Sequence, residues 1–123
     1  MKKPTVLMVE SDLPTVELYV AALKPDYDVV ACSDEAGVLD VLSTNDLDAV
    51  ILEPAVGGGR GWAIFSAIRG AIREHSIPVI VCSTLDERKR GLEMGAAAFL
   101  VKPVLPGMLL ETLRQFRRSR KLG

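Results

Sequence analysis

The sequence has few of the residue types on which zinc sites, disulfide frameworks and catalytic triads depend. Its 123 residues include one histidine and two cysteines, and aromatic residues make up only 5%. Cys32 and Cys82 have neither CxxC spacing nor a nearby histidine, so we expect buried, reduced thiols rather than a disulfide or a zinc ligand. His75 has no partner at a metal-ligand or catalytic spacing, which favours a solvated loop histidine.

Long apolar runs and a strong net charge are also missing. No stretch of 18 apolar residues occurs, and the start Met1-Lys2-Lys3 leads straight into a strand-like segment, so neither a membrane span nor a cleaved signal is predicted. We therefore interpret the chain as cytoplasmic. The 15 Lys and Arg residues nearly balance 16 Asp and Glu residues, which argues against direct binding to nucleic acid or to an acidic membrane.

The composition that remains fits one compact domain. The chain has 123 residues, 49% of them apolar, which is enough for one mainly aliphatic core but too short for a second domain. We assign residues 1–123 to this domain, with about 4–118 as the core and 119–123 as a basic tail or the start of a linker. The basic residues near the end, which we interpret as a solvated face or linker, are Arg114, Arg117, Arg118, Arg120 and Lys121.

Five short apolar runs alternate with stretches of helical periodicity. The runs are Thr5 to Val9, Val29 to Ala31, Ala49 to Leu52, Pro78 to Cys82 and Ala98 to Val101. They lack a clean alternation of polar and apolar residues, which is typical of strands buried on both faces. The sequence therefore predicts five strands of a largely parallel sheet.

Helical spacing is visible between these runs. The apolar stripes are Leu13, Val16, Val20 and Leu23; Phe65, Ile68 and Ile72; and Leu109, Leu113 and Phe116. Two weaker stretches, Asp34 to Ser43 and Asp86 to Met94, each begin with an acidic residue suited to a helix N-terminus. Strict alternation of strand and helix predicts an open, doubly wound α/β fold.

Polar residues follow four of the five predicted strands. In doubly wound sheets the functional crevice lies outside the carboxyl ends of the strands. Glu10, Glu53, Ser83 and Lys102 each stand at or next to such an end. We therefore expect these four side chains to form the functional site.

The segments around these residues have a specific order and spacing. They are Val9-Glu10-Ser11-Asp12, Leu52-Glu53-Pro54, Cys82-Ser83-Thr84 and Phe99-Leu100-Val101-Lys102-Pro103, with Gly95-Ala96-Ala97 before the last. This arrangement resembles a response regulator receiver domain of two-component phosphorelay signalling. The resemblance implies a flavodoxin-like (βα)5 fold with strand order 2-1-3-4-5 and a cis peptide between Lys102 and Pro103.

The same resemblance implies a phosphoryl transfer site that this sequence alters. In the family, a kinase histidine passes a phosphoryl group to an aspartate after strand three, beside a divalent cation and an acidic pair after strand one. Here Glu53 stands at the acceptor position, Glu10 and Ser11 stand at the acidic pair, and Asp12 comes one residue late. A longer carboxylate is badly placed for in-line attack. We therefore predict a pseudo-receiver that cannot complete a phosphorylation cycle.

Metal binding is weakened by the same substitutions. Magnesium requires near-ideal octahedral geometry with oxygen ligands, and this site has a hydroxyl and two lengthened carboxylates in place of the family's aspartates. The sequence therefore gives no firm expectation of a bound magnesium ion. Glu10 and Glu53 are the candidate ligands if one binds, and otherwise Lys102 is expected to offset their two like charges.

Two further residues match the switch of the family. The resemblance implies that the Ser83 hydroxyl moves to bind a phosphoryl oxygen and that Phe99 swings inward with it. An equally weighted interpretation is that Ser83 caps the loop after strand four and that Phe99 is an ordinary core or surface aromatic.

The segment from Gly57 to Gly61 departs from the family, which usually has a proline near Gly57 and an acidic residue near Arg60. One hypothesis is a small-anion site built from the N–H groups of Gly58 and Gly59 with the Arg60 guanidinium. The favoured one is a loop that needs positive φ values, because no GK[ST] ending follows the glycines. Trp62, just after this segment, is either a contact anchor for a partner or packed against a neighbouring helix.

Three functions are therefore compatible with the sequence. The favoured one is an interaction module that docks a partner or a dimer mate, without a phosphorylation cycle, through helix four, strand five and helix five, here Leu85 to Phe116. The second is residual metal-dependent phosphoacceptor activity at Glu53, Asp12 or Ser11, with a histidine kinase as partner. The third is binding of a small anion at the glycine loop.

Overall fold

A computed structural model describes residues 2–117, in which five strands alternate with five helices of six or more residues. A four-residue helical turn, Val56–Gly59, precedes the third of these helices. The strands are β1 (Thr5–Val9), β2 (Asp28–Cys32), β3 (Ala49–Leu52), β4 (Val79–Ser83) and β5 (Ala98–Val101). The helices are α1 (Leu13–Leu23), α2 (Glu35–Thr44), α3 (Gly61–Glu74), α4 (Arg88–Glu93) and α5 (Pro106–Phe116). The predicted end of the core at residue 118 and the basic residues Arg118, Arg120 and Lys121 lie outside the described part of the chain.

The five strands form one parallel sheet in the order β2-β1-β3-β4-β5. Every residue of β1, β3 and β4 is buried, whereas β2 and β5 at the edges are partly exposed. The predicted doubly wound fold and strand order are therefore confirmed. Continuous apolar runs form the central strands because helices cover both faces there.

The core has two layers, one on each face of the sheet. Alternate residues of β1 point to opposite faces, so that Leu7 and Val9 belong to one layer and Val6 and Met8 to the other. The first layer contains α2 and α3. The second contains α1 and α5. This arrangement brings the carboxyl ends of all five strands to one edge of the sheet.

The apolar stripe predicted for α1 is partly wrong. Tyr19 and Leu23 are the buried residues of this helix, whereas 70% of Leu13 is exposed. At about 100° per residue, Leu13 lies about 80° around the helix from Leu23 and so falls off the buried face. The predicted stripe on α3 is confirmed, because Phe65, Ile68 and Ile72 are all buried.

Candidate functional site

The residues that follow the strands meet at the carboxyl edge of the sheet. Lys102, after β5, reaches across the end of β3 towards β1. Its Nζ atom lies 2.7 Å from Oε1 of Glu10 and 3.7 Å from Oε2 of Glu53. Ser83 ends β4, between β3 and β5, and its carbonyl oxygen accepts a hydrogen bond of 2.7 Å from the Lys102 N–H. We call Glu10, Glu53, Ser83 and Lys102 the crevice.

Glu10 is a buried carboxylate with both oxygens hydrogen-bonded. Oε1 accepts from Lys102 Nζ at 2.7 Å. Oε2 accepts from the backbone N–H groups of Ser11 at 2.9 Å and Asp12 at 3.2 Å. Hydrogen bonds to an ionised group are stronger than neutral ones, so these three donors account for a charge that would otherwise be costly to bury.

Glu53 is buried to a similar extent but is incompletely satisfied. Its side-chain oxygen Oε2 has no hydrogen-bond partner among the described residues, since the 3.7 Å to Lys102 Nζ is too long for a hydrogen bond. Burial raises the pKa of Glu53; the charge of Glu10 adds to this effect, and Lys102 and the Ala55 backbone oppose it. Glu53 is therefore a buried carboxylate whose charge is only partly compensated.

Lys102 remains a cation in this setting. Burial alone would lower its pKa, but the hydrogen bond with Glu10 and the charges of Glu10 and Glu53 outweigh that effect, so that the pKa is raised. The peptide between Lys102 and Pro103 is cis, as predicted. The loop that carries Lys102 is tied to α1 because the Tyr19 hydroxyl donates a hydrogen bond of 3.0 Å to the carbonyl oxygen of Val104.

Asp12, which the sequence groups with Glu10 and Ser11, is the N-cap of α1. Its carboxylate accepts hydrogen bonds from the backbone N–H and the hydroxyl of Thr15, and these lower the pKa of Asp12. Both Ser11 and Asp12 are exposed. The carboxylate that follows β1 into the crevice is therefore that of Glu10.

The two switch candidates are both buried. The Ser83 hydroxyl accepts a hydrogen bond of 3.1 Å from the Leu85 N–H, as the loop-capping interpretation expects. Phe99 is 8% exposed and belongs to the same apolar cluster as Trp62, as the core interpretation expects. A switching role for either residue stays a prediction.

The glycine segment forms a tight turn between β3 and α3. Gly57, Gly58 and Gly59 have φ values of 58°, 77° and 94°, which confirms the expected positive φ, a region that glycine enters without steric cost. Three N–H groups of the segment are engaged locally. They are those of Gly59, Arg60 and Gly61, which donate to the carbonyl oxygens of Ala55, Val56 and Pro54. These donors are not directed at an external anion, and Arg60 is exposed.

Trp62 packs inward rather than standing free. It is 9% exposed, and its indole Nε1 donates a hydrogen bond of 3.1 Å to Oε2 of Glu87. Glu87 and Tyr19 are residues that sequence reasoning missed. Tyr19 lies four positions before Leu23, so helical spacing placed it on the buried face. Glu87 lies 25 positions from Trp62, and no local pattern indicates that contact.

The donor set of the crevice does not fit a magnesium ion. Both oxygens of Glu10 already accept hydrogen bonds from protein donors, and the Ser11 side chain is exposed. Within residues 2–117 no group of three or more His, Cys, Asp or Glu side chains is placed to hold a metal ion.

In the same part of the chain no helix is long and apolar enough to cross a membrane.

Comparisons with known proteins agree with this geometry. The model of the protein family described as "Response regulator receiver domain" matches residues 6–114 of this chain. The chain is 31% identical over 120 residues to the transcriptional regulatory protein HprR of Escherichia coli (strain K12), covering 96% of this chain and 54% of HprR. The non-phosphorylated HemR receiver domain of Leptospira biflexa is 26% identical with a TM-score of 0.83, covering 98% of this chain and 99% of that one.

A likeness at lower identity supports the fold. The chemotaxis response regulator CheY4 of Vibrio cholerae is 22% identical with a TM-score of 0.81, covering 94% of this chain and 99% of that one. The chain spans about half the length of HprR. Because the family match covers most of the chain and the parallel sheet has the 2-1-3-4-5 order, the chain belongs to the response regulator receiver domain family of two-component signalling.

Proposed function

We propose that this receiver domain is a protein-interaction module that works without a phosphorylation cycle. The observation that carries the proposal is the state of Glu53: a carboxylate that is 5% exposed stands at the acceptor position, with Oε2 lacking a hydrogen-bond partner among the described residues. A phosphoacceptor must present an oxygen to an incoming phosphorus atom in line with the leaving group. A buried carboxylate that is one methylene longer than aspartate is poorly suited to that task.

The charges of the crevice support the same proposal. Lys102 lies 2.7 Å from Glu10 but 3.7 Å from Glu53, so its stronger interaction is with the carboxylate at the end of β1. Phosphoryl transfer depends mainly on positioned cations that neutralise the transferred group. With Lys102 held by Glu10, and a donor set that does not fit magnesium, Glu53 lacks this assistance.

The proposed docking surface is the face formed by α4, β5 and α5, from Leu85 to Phe116. Large apolar side chains in this segment are well exposed: Leu85 by 64%, Leu92 by 52%, Leu105 by 66% and Met108 by 48%. Exposed apolar side chains of this size are candidates for partner contacts. A protein partner or a dimer mate would occupy this surface. A histidine kinase remains a candidate partner of the domain.

The test is intact-mass spectrometry after incubation with acetyl phosphate and magnesium. The native chain and a Glu53→Asp variant are compared, with Glu53→Ala as the matched control without any carboxylate. We expect no added mass on the native chain or on Glu53→Ala. One phosphoryl group on Glu53→Asp would show that side-chain length alone prevents the transfer, and no label on it would show that the missing cation assistance prevents it as well. A labelled native chain whose label is lost in Glu53→Ala would overturn the proposal in favour of residual phosphoacceptor activity.

A further inference from the structure

The helix α4 is too short to hold itself in place. It has six residues, and its N-cap residue, Glu87, makes no side-chain capping hydrogen bond. Isolated helices shorter than about 12–15 residues are marginal in water. The position of α4 on the domain therefore depends on contacts with the rest of the molecule.

Three side chains supply these contacts in a closed triangle. The indole Nε1 of Trp62, in the first turn of α3, donates to Oε2 of Glu87 at 3.1 Å. Oε1 of the same carboxylate lies 3.7 Å from Nη1 of Arg90. The Arg90 guanidinium in turn lies over the Trp62 ring, with Cζ 4.7 Å from its centroid. We call Trp62, Glu87 and Arg90 the latch.

A second contact, between Gly91 and Phe99, holds α4 against β5. A Cβ atom added to Gly91 would lie 2.6 Å from Cδ2 of Phe99 and 3.7 Å from Cη2 of Trp62. The absence of a side chain at Gly91 lets α4 sit directly on Phe99. Phe99 and Trp62 belong to one apolar cluster. The helix α4 is therefore held by Trp62 of α3 and by Phe99 of β5.

The latch and the ion pairs of the crevice use different side chains, and Ser83 lies next to both. Its Oγ accepts from the Leu85 N–H at 3.1 Å, and the Leu85 carbonyl accepts from the Glu87 N–H at 3.0 Å. The latch joins α3 to α4, whereas the ion pairs of Glu10 and Glu53 run to Lys102, after β5. Trp62 is also buried almost completely, so the hydrogen bond and the guanidinium stacking act at a partly desolvated ring, where both are stronger than in water.

We propose that the latch holds α4 in one position whatever the charge at residue 53, so that the face from Leu85 to Phe116 is preset for its partner. This inference rests on the proposed function, because a domain without a phosphorylation cycle needs its docking face to be formed in advance. It adds a set of contacts that makes the position of α4 independent of the charge at the acceptor position.

The test is amide hydrogen exchange in α4 and the turn after it, measured by mass spectrometry or NMR without any phosphodonor. The reporting amides are those of Gly91, Met94 and Ala96, which donate within this segment. The variants Glu87→Ala and Trp62→Phe each remove the hydrogen bond at the indole, and we expect these amides to exchange about fivefold to tenfold faster, as for the loss of one net hydrogen bond. The matched control is Glu93→Ala, an exposed acid on the same helix, which we expect to change the rates less than about twofold.

A Glu53→Gln variant completes the test by removing the charge at the acceptor position. We expect its α4 amides to keep the native exchange rates within about twofold, and the amides of β3 and β4 to keep theirs in Glu87→Ala. The inference is overturned if Glu53→Gln changes α4 exchange as much as Glu87→Ala does, or if Glu87→Ala leaves it at the native rate. A phosphorylated native chain would overturn the proposed function while leaving this measurement of the latch unaffected.

Discussion

A buried carboxylate lies at each end of β3, and the two carboxylates differ in their hydrogen bonding. Asp48, just before the strand, is fully buried; its Oδ2 accepts from the Thr5 N–H at 2.8 Å, and its own N–H donates to the Thr5 carbonyl at 2.8 Å. Glu53, just after the strand, has a buried oxygen with no hydrogen-bond partner among the described residues. One carboxylate joins β3 to β1, and the other is left incompletely satisfied.

This difference distinguishes an acid that joins two strands from one whose contacts leave it incompletely satisfied. Buried polar groups in folded proteins are nearly always hydrogen-bonded, and the exceptions tend to mark sites that serve a purpose other than stability. The amino end of the sheet therefore behaves as an ordinary part of the core. The carboxyl end holds an incompletely satisfied acid beside the Lys102 ammonium group, as the proposed function expects.

The largest expected effect comes from removing the cation at the carboxyl end. In Lys102→Met, Glu10 and Glu53 lose the ammonium group that both face, and two carboxylates are left buried near each other. We expect the free energy of unfolding at pH 7 to fall by about 3–5 kcal/mol, the range found when one partner of a buried ion pair is removed. Urea denaturation measures this loss.

The control for this prediction is Lys89→Met. Lys89 is 90% exposed and lies 3.9 Å from Glu93, so its removal should change stability by less than about 0.5 kcal/mol. The cost of Lys102→Met should also shrink as the pH falls towards 5, because protonation of one carboxylate relieves the repulsion. A Lys102→Met loss below about 1 kcal/mol would mean that Lys102 does not compensate the two acids.

The amino end offers a smaller and purely structural effect. Asp48→Leu leaves the buried N–H of Thr5 without the carboxylate that accepts from it, and we expect a loss of about 1.5–3 kcal/mol, as for a buried hydrogen bond to a charged group. Asp48→Asn keeps an acceptor oxygen and should lose less than about 1.5 kcal/mol. Equal losses in the two variants, measured by thermal and urea unfolding, would show that the acceptor oxygen is not what matters at this end.

The fold could be predicted because its signals are local. The runs of β1, β3 and β4 are almost entirely apolar, a composition typical of strands covered on both faces. The four crevice residues could be placed for the same reason, since parallel strands bring their carboxyl ends to one edge of the sheet. For these residues, the position along the chain determined the position in space.

What the sequence did not reveal is which of two local roles a residue takes and which distant residues come into contact. The sequence groups Asp12 with Glu10 and Ser11, but an aspartate before a helix is also a good N-cap, and Asp12 accepts a hydrogen bond from the Thr15 N–H of α1. Tyr19 was missed because the stripe was counted from Leu13, which is exposed. The pairing of Trp62 with Glu87 arises from the packing of α3 beside α4, which no spacing rule supplies.

The smallest effect, and the one of opposite sign, is expected for Glu53→Gln. Burial raises the pKa of Glu53 above its ordinary value of 4.5. Between pH 4.5 and this raised pKa, the folded protein therefore binds more protons than the unfolded one. The free energy of unfolding of the native protein therefore falls as the pH rises through that window. Glutamine has no such proton to lose, so the variant should have the same free energy of unfolding as the native protein below pH 4.5 and a higher one at pH 7. The gain should be less than the cost of about 1–3 kcal/mol for a buried unsatisfied polar group, since Lys102 offsets part of that cost. Urea denaturation across this pH range measures the difference, with the exposed Glu17→Gln as control. If Glu53→Gln were less stable than the native protein at pH 7, Glu53 would be a structural acid like Asp48, and the contrast between the two ends of β3 would be lost.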